Sequence, residues 1–238
     1  MKYLSGLLLS ITLTVGMYAQ TVDEVLSKYY QAVGGAENFR NIQTYIIKAK
    51  SVNSSGTWKR PYSMYGKGNK VYTIMNAQAG IDAKQGFSGT SGWRVQPWSG
   101  SLDPFPMNAD DSKELQLSGE QLVNDLFTYK TRNTTLEMQG KDEIDGSDCY
   151  KIMATRTDGV VVVYYLDVDS YLLVKRTVKR KESGVDTESD SYFSNYRKVN
   201  GMLLPFSIEG SWGGGLAIES YQINTPIEDS TFEMPEKK

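Results

Sequence analysis

Short segments in which apolar and polar residues alternate make up most of this chain. In the segment 44–51, Tyr45, Ile47 and Ala49 would share one face of a strand, and most of the residues between them are polar. Turn-forming residues such as Asn200-Gly201 separate the segments. A period of two is that of a β-strand with one buried face, and short turns join antiparallel neighbours. The sequence therefore predicts a meandering antiparallel sheet.

The number of these segments constrains the shape of the sheet. About a dozen segments alternate in this way, and we expect ten or eleven of them to be true strands. A meander of that size must curl, either into a barrel or around a central element. The charged run 179–189 is predicted to be an exposed loop. Since no linker divides the chain, residues 20–238 are predicted to form one mainly β (α+β) domain.

Two segments have helical rather than strand spacing. Residues 21–24 form a capping-box sequence, and the apolar stripe that follows predicts a helix ending at residues 34–35. Residues 112–129 predict a mid-chain helix with Leu122 and Leu126 on one stripe. Because this second helix interrupts the sheet, we expect it to pack on the sheet or to plug its opening.

The first nineteen residues have the layout of a secretory signal peptide. Lys2 is followed by about a dozen mostly apolar residues and by Ala19 at the expected cleavage site. This run is shorter than the ~20 apolar residues of a membrane-spanning helix. We therefore expect a periplasmic protein without a transmembrane anchor. No cysteine follows the apolar run, so lipid attachment of the usual bacterial kind is not expected.

The composition argues against most kinds of catalytic or metal site. The chain has no histidine, the commonest general base and metal ligand, and its net charge of −2 is unlike that of a nucleic-acid binder. We predict no catalytic residue, metal or cofactor. An acid/base enzyme that uses Asp110, Asp111 or Glu182 is the alternative, although adjacent acidic residues usually form a solvated loop or cap. The single cysteine, Cys149, is predicted to be a buried, inert thiol.

Several turn-and-strand motifs have a familiar order along the chain. They lie at residues 32–39, 89–93, 144–152, 163–172, 196–205 and 227–232. In this order they resemble the periplasmic lipoprotein carriers LolA and LolB and the wider outer-membrane lipoprotein-sorting group, in the form found in Bacteroidetes-type bacteria. The resemblance implies a curved, unclosed antiparallel β-barrel whose open face is covered by the N-terminal and mid-chain helices. It also implies a concave apolar interior that holds acyl chains.

These observations favour a carrier or sensor that binds the acyl chain of a lipoprotein or a free lipid. Each buried CH₂ contributes about 0.8 kcal/mol, so an apolar groove is sufficient for binding. The candidate groove residues are Tyr45, Ile47, Met64, Tyr72, Ile74, Trp93, Leu122, Leu126, Val161 and Val163. Ordinary core packing is an equally good interpretation of each. The family carriers use a basic residue on an early strand, but the sequence around Arg60 does not align with that pattern.

A second interpretation is a non-catalytic interaction module that keeps the fold without lipid transport. Its partner would be an envelope protein complex. Trp58, Trp98 and Trp212 would support this interpretation if they are exposed, because aromatic residues are enriched at protein interfaces. Lipid that co-purifies with the protein would exclude it.

Overall fold

Thirteen antiparallel strands form one sheet in the computed structural model, which describes residues 20–78, 80–210 and 214–237. The strands are β1 Thr44–Val52, β2 Lys59–Lys67, β3 Lys70–Gln78, β4 Ile81–Phe87, β5 Gly92–Val95, β6 Phe105–Pro106, β7 Thr135–Ile144, β8 Ser147–Thr155, β9 Val161–Asp167, β10 Leu173–Glu182, β11 Val185–Val199, β12 Met202–Gly210 and β13 Gly215–Ile223. The α-helices are α1 Val22–Ala32, α2 Ala36–Arg40, α3 Ala109–Ser118 and α4 Asp125–Thr128, and short 3-10 helices lie at Pro97–Ser99 and Asp229–Phe232. The predicted signal peptide, residues 1–19, lies outside the described residues.

The strand order places two meanders side by side. Across the sheet it runs β6-β5-β4-β3-β2-β1-β13-β12-β11-β10-β9-β8-β7. The first and last strands are therefore neighbours, with Tyr45 opposite Ile223. Strands β6 and β7, although consecutive in the sequence, are the two free edges, and α3 and α4 lie in the segment that connects them. This confirms the predicted unclosed antiparallel barrel.

The main core lies between the helices and one face of the sheet, here called the inner face. Strand β1 of the first meander contributes Tyr45, Ile47 and Ala49 to this core, as predicted. Strand β9 of the second meander contributes Val162 and Tyr164 to the same core. Helix α1 adds Leu26 and Tyr29 to the same core. Among the described residues, no helix is both long enough and apolar enough to cross a membrane.

Three helices meet around Phe127 of α4. Its ring stacks on Phe39 of α2, with 4.3 Å between centroids and 5° between planes. Arg40 Nε donates a hydrogen bond to the Phe127 carbonyl oxygen at 3.1 Å, and the Tyr30 hydroxyl donates to the Leu126 carbonyl. The N-terminal and mid-chain helices thus cover the sheet together, as predicted.

The structure corrects three expectations. All of the dozen alternating segments are strands and the two-residue β6 adds another, so there are thirteen strands rather than ten or eleven. The run 179–189 belongs to the β10–β11 hairpin, where its charges pair across the strands, for example Lys179 with Glu188 at 2.7 Å. The predicted helix 112–129 is two helices, because Asn124 caps a new one by accepting a hydrogen bond from the Leu126 amide at 3.0 Å.

Candidate functional site

A cavity of about 300 Å³ lies between α3 and the inner face of the sheet. Strands of both meanders bound it, and its apolar wall consists of Tyr62, Met64, Leu117, Val178, Ile208 and Leu216. Ligand sites typically have volumes of roughly 300–1,000 Å³, so this cavity is at the lower end of that range.

A second cavity, of about 370 Å³, lies on the other side of α3, toward β3, β4 and β5. Tyr62, Glu114 and Ser118 line both cavities, so α3 forms the boundary between them. The two cavities flank α3 on the inner side of the half-barrel. A long ligand could therefore extend along the inner face only if α3 moved.

Polar contacts hold the N-terminal half of α3 in place. Asn108 caps the helix by accepting a hydrogen bond from the Asp111 amide at 2.7 Å, and the Asp111 carboxylate pairs with Arg94 of β5. Lys113 Nζ lies 2.6 Å from Asp158 Oδ2, in the β8–β9 turn. Burial alone would raise the pKa of Asp158, but the hydrogen bonds from Lys113 and from the Val160 amide, together with the positive charges of Lys113 and Arg156, lower the pKa below its ordinary value. Asp158 is therefore charged at neutral pH.

Gly92 of β5 allows α3 to approach the sheet closely. Its amide donates a hydrogen bond to Ser112 Oγ at 3.0 Å. A Cβ atom at this position would lie 2.7 Å from that oxygen and 2.8 Å from Met107 Sδ. Only glycine fits here without displacing the helix.

A buried charged cluster holds the segment between α3 and α4 against the sheet. Asp125 has no exposed surface, and its Oδ2 accepts hydrogen bonds from the Tyr164 hydroxyl at 2.8 Å and from Arg156 Nη2 at 2.7 Å. Arg156 also pairs with Glu120. Burial alone lowers the pKa of Arg156, but the two carboxylates outweigh it and raise the pKa above its ordinary value. Arg156 consequently stays charged over the whole physiological range.

Half of the predicted groove residues lie on the inner side. Tyr45, Ile47, Met64, Leu122 and Leu126 all belong to the main core. The Tyr45 hydroxyl donates to the Gly119 carbonyl oxygen just after α3. Of the ten predicted residues, only Met64 lines either of the two cavities.

The other half, Tyr72, Ile74, Trp93, Val161 and Val163, lie on the opposite, outer face. Met64 pairs with Thr73, so the residues on either side of Thr73 point away from the helices. The chain's own C-terminal segment covers part of this face, where Trp93 Nε1 donates to the Phe232 carbonyl oxygen at 2.8 Å. These outer-face positions line neither of the two cavities. Val161 borders a third cavity, of about 800 Å³, beside the start of α3 and β10.

Val163 packs in a small outer core with Tyr165 and Cys149. Cys149 has no exposed surface, and burial raises the pKa of its thiol to about 11. The thiol is therefore protonated at neutral pH. This agrees with the prediction of an inert cysteine.

Most residues that line the cavity beneath α3 were not predicted from the sequence, among them Tyr62, Arg176 and Arg180. Tyr62 shares a strand face with Met64, so the alternation of β2 could have identified it. Arg176 and Arg180 also line the cavity beneath α3. They were missed because a register shift between Leu173 and Lys175 obscures the alternation of β10.

The acidic residues considered for catalysis all have partners around α3. Asp110 Oδ2 accepts a hydrogen bond from the Ser183 amide at 3.0 Å, Asp111 pairs with Arg94, and Glu182 Oε2 lies 3.3 Å from Arg180 Nη2. Each of these contacts joins α3 to the sheet or lies within the β10–β11 hairpin. The arrangement thus gives all three carboxylates a structural role.

Two of the three tryptophans considered for partner binding are exposed. Trp58 is 39% exposed and Trp98 is 64% exposed, while Trp212 lies outside the described residues. Leu102 is exposed near Trp98, in the loop after β5. Arg60 lies with its guanidinium carbon 4.7 Å from the Trp58 ring centroid, at the surface rather than in either interior cavity.

Comparison with known proteins identifies the fold. No protein-family model matches the sequence, and a search of curated proteins finds no match. Among solved structures, a DUF1329 family protein from Desulfovibrio piger is similar with a TM-score of 0.58 and 15% identity over 90% of this chain and 98% of that one. A LolA superfamily protein from Nitrosomonas europaea has a TM-score of 0.54 and 14% identity over 90% of this chain and 98% of its own.

A third similar structure is a domain assigned to outer membrane lipoprotein sorting from Vibrio parahaemolyticus. Its TM-score is 0.55, with 12% identity over 88% of this chain and 94% of that chain. At such low identities the similarity establishes the fold alone, and the narrower Bacteroidetes type stays a prediction. With its open antiparallel sheet and its covering helices, the chain has the LolA-like fold.

Proposed function

We propose that this protein is a periplasmic carrier or sensor that binds acyl chains of lipoproteins or of free lipids beneath α3. The observation that carries the proposal is the pair of cavities between α3 and the inner face of the sheet. The shared fold with a structure assigned to lipoprotein sorting supports it. The proposal includes export directed by residues 1–19 and no catalytic step.

The energetics of this site suit an apolar chain. Each CH₂ that leaves water contributes about 0.8 kcal/mol. Leu115 and Leu117 of α3 are buried against the same interior, so ligand and helix compete for one apolar surface. Binding of a long chain then shifts α3 away from the sheet, and return of α3 favours release.

Native mass spectrometry of the protein purified from its own cell envelope tests the proposal, followed by organic extraction and lipid analysis. We expect a stoichiometric species that carries an acyl chain. A clean apo mass, together with no uptake of fatty acid or lipopeptide on titration, would contradict the carrier function.

A matched pair of variants locates the binding site. Leu216 of β13 lines the cavity, whereas its neighbour Ala217 is exposed on the outer face. We expect Leu216→Trp to fill the cavity and to weaken acyl binding at least about ten-fold, as the loss of roughly two buried CH₂ groups would. Ala217→Trp should leave binding unchanged. Equal effects of the two substitutions would place the ligand elsewhere.

The exposed apolar residues favour one second candidate, an interaction module for an envelope protein complex. Trp98 and Leu102 are exposed together after β5, and exposed aromatic residues of this kind are enriched at interfaces. This candidate gains support if the purified protein carries no lipid and takes up none.

A further inference from the structure

Arg176 of β10 is a buried cation without an ion pair. It is only 6% exposed, and no carboxylate of the described residues forms a salt bridge with it. Arg156, by contrast, has the carboxylates of Glu120 and Asp125 as partners. Burying an unpaired charge is strongly unfavourable, so proteins seldom keep one without a use for it.

The free edge of Arg176 has a specific shape. Nη1 donates a hydrogen bond to the Glu120 carbonyl oxygen at 3.1 Å, whereas Nε is buried and has no partner among the described residues. The edge formed by Nε and Nη2 is the one with which arginine binds a carboxylate or a phosphate through two parallel hydrogen bonds.

Arg180 repeats this arrangement nearer the β10–β11 turn. Its side chain is largely buried, lines the same cavity, and also has an Nε without a partner in the described chain. Its Nη2 makes only long contacts, 3.4 Å to Glu114 and 3.3 Å to Glu182. Glu114 and Glu182 are much more exposed than Arg180, so their carboxylates compensate its charge only weakly.

The nearby acidic and phenolic groups do not neutralise Arg176. Asp190 pairs with Lys175 at 2.9 Å, and Glu120 pairs with Arg156 and Arg132. Burial raises the pKa of both Tyr45 and Tyr164, so these hydroxyls stay uncharged. The cavity therefore combines an apolar wall with a buried positive group.

We propose that the cavity beneath α3 selects amphiphiles with an anionic group, a carboxylate or a phosphate, that binds the Nε edge of Arg176. Arg180 contributes a second cation on the side of the β10–β11 turn, and the apolar wall receives the chain. This inference rests on the proposed function and names its substrate class. Since the ligand is held by its acid group as well as by its chain, a neutral amphiphile of equal length binds more weakly.

Calorimetric titration of the delipidated full-length protein with three ligands of the same chain tests the inference: dodecanoic acid, dodecyl phosphate and dodecanol. We expect at least one of the two acids to bind about ten-fold or more tightly than the alcohol, as charge-assisted hydrogen bonds predict. Arg176→Gln should remove this preference while leaving the affinity for the alcohol unchanged. Arg197→Gln, at an exposed position on β11, is the matched control and should keep the preference.

The outcomes separate the two levels of the proposal. Equal binding of acids and alcohol by the natural protein would overturn anion selection but leave the acyl carrier intact. Binding of none of the three would contradict the carrier function itself. The ratio of phosphate to carboxylate affinity identifies the preferred acid. If Arg176→Gln does not fold, Arg176→Lys, which keeps the charge but not the two-pronged edge, should lower the preference for acids without abolishing it.

Discussion

At the residue scale, Asp125 is the acid on which the covering segment depends most. Its partners Arg156 and Tyr164 lie 31 and 39 residues further along the chain. From the sequence, Asp125 is only an acidic residue inside the predicted helix 112–129, next to the predicted stripe of Leu122 and Leu126. Its role could not be predicted, because a contact across such a separation exists only after the sheet has formed.

We expect Asp125→Ala to lower the free energy of unfolding by roughly 3–5 kcal/mol, because it removes one partner of a buried ion pair. Tyr164→Phe removes only the hydroxyl that donates to Asp125, and about 1.5–3 kcal/mol is expected. Glu188→Ala is the surface control, since its pair with Lys179 is exposed and is worth at most about 1 kcal/mol. Urea unfolding curves measure all three values. Similar losses for Asp125 and Glu188 would contradict the assigned importance of the buried cluster.

At the scale of elements, the alternation of apolar and polar residues predicted the positions of the strands well. It was less successful in predicting which residues of a strand face the helices. On β3, Val71 and Thr73 face the helices while Tyr72 and Ile74 face outward, and the sequence offers apolar residues to both sides. The outer side is partly buried because the C-terminal segment packs on it through Phe232. When a strand is covered on both faces, its sequence does not show which face is the inner one. For this reason half of the predicted groove residues lie on the outer face.

Gly92→Ala tests the packing of α3 on β5. The added methyl group would clash with Ser112 and Met107, and overpacking of this kind costs about 1–3 kcal/mol. We expect amide hydrogen exchange in α3 to become roughly ten-fold faster, since local opening costs less free energy. Ser91→Ala, at the exposed neighbouring position, should change nothing. Unaltered exchange in the Gly92 variant would mean that α3 does not depend on this contact.

At the scale of the whole molecule, the interior is unusually rich in tyrosine. The chain has 16 tyrosines, and burial raises the pKa of Tyr30 and of Tyr72 to about 12. Burial raises the pKa still further for more deeply placed rings: Tyr29, Tyr45, Tyr62, Tyr164, Tyr196 and Tyr221. Many phenols therefore keep their protons in the folded state at a pH where the unfolded chain loses them.

This predicts a loss of stability at alkaline pH. An unfolded tyrosine has a pKa of about 10, so above that pH the unfolded state binds fewer protons than the folded state and stability falls as pH rises. We expect the urea midpoint to be steady from neutral pH to about pH 10 and to decrease between pH 10 and 12. Tyrosinate absorbance should rise together with unfolding. A midpoint that stays constant to pH 12 in high salt, where surface charges are screened, would contradict the prediction.

The pairing of β1 with β13 sets the order in which the strands can assemble as the chain emerges, N-terminus first, into the compartment where it folds. Every other pair of neighbouring strands is consecutive in the sequence and can form as soon as its hairpin emerges. Strand β1 emerges early, yet one of its edges has no partner until residues 215–223 have emerged as well. An open strand edge is prone to aggregate, so the nascent chain must be shielded almost to its end. The pairing of β13 with β1 thus joins two half-sheets, β1–β6 and β7–β13, that would otherwise be separate.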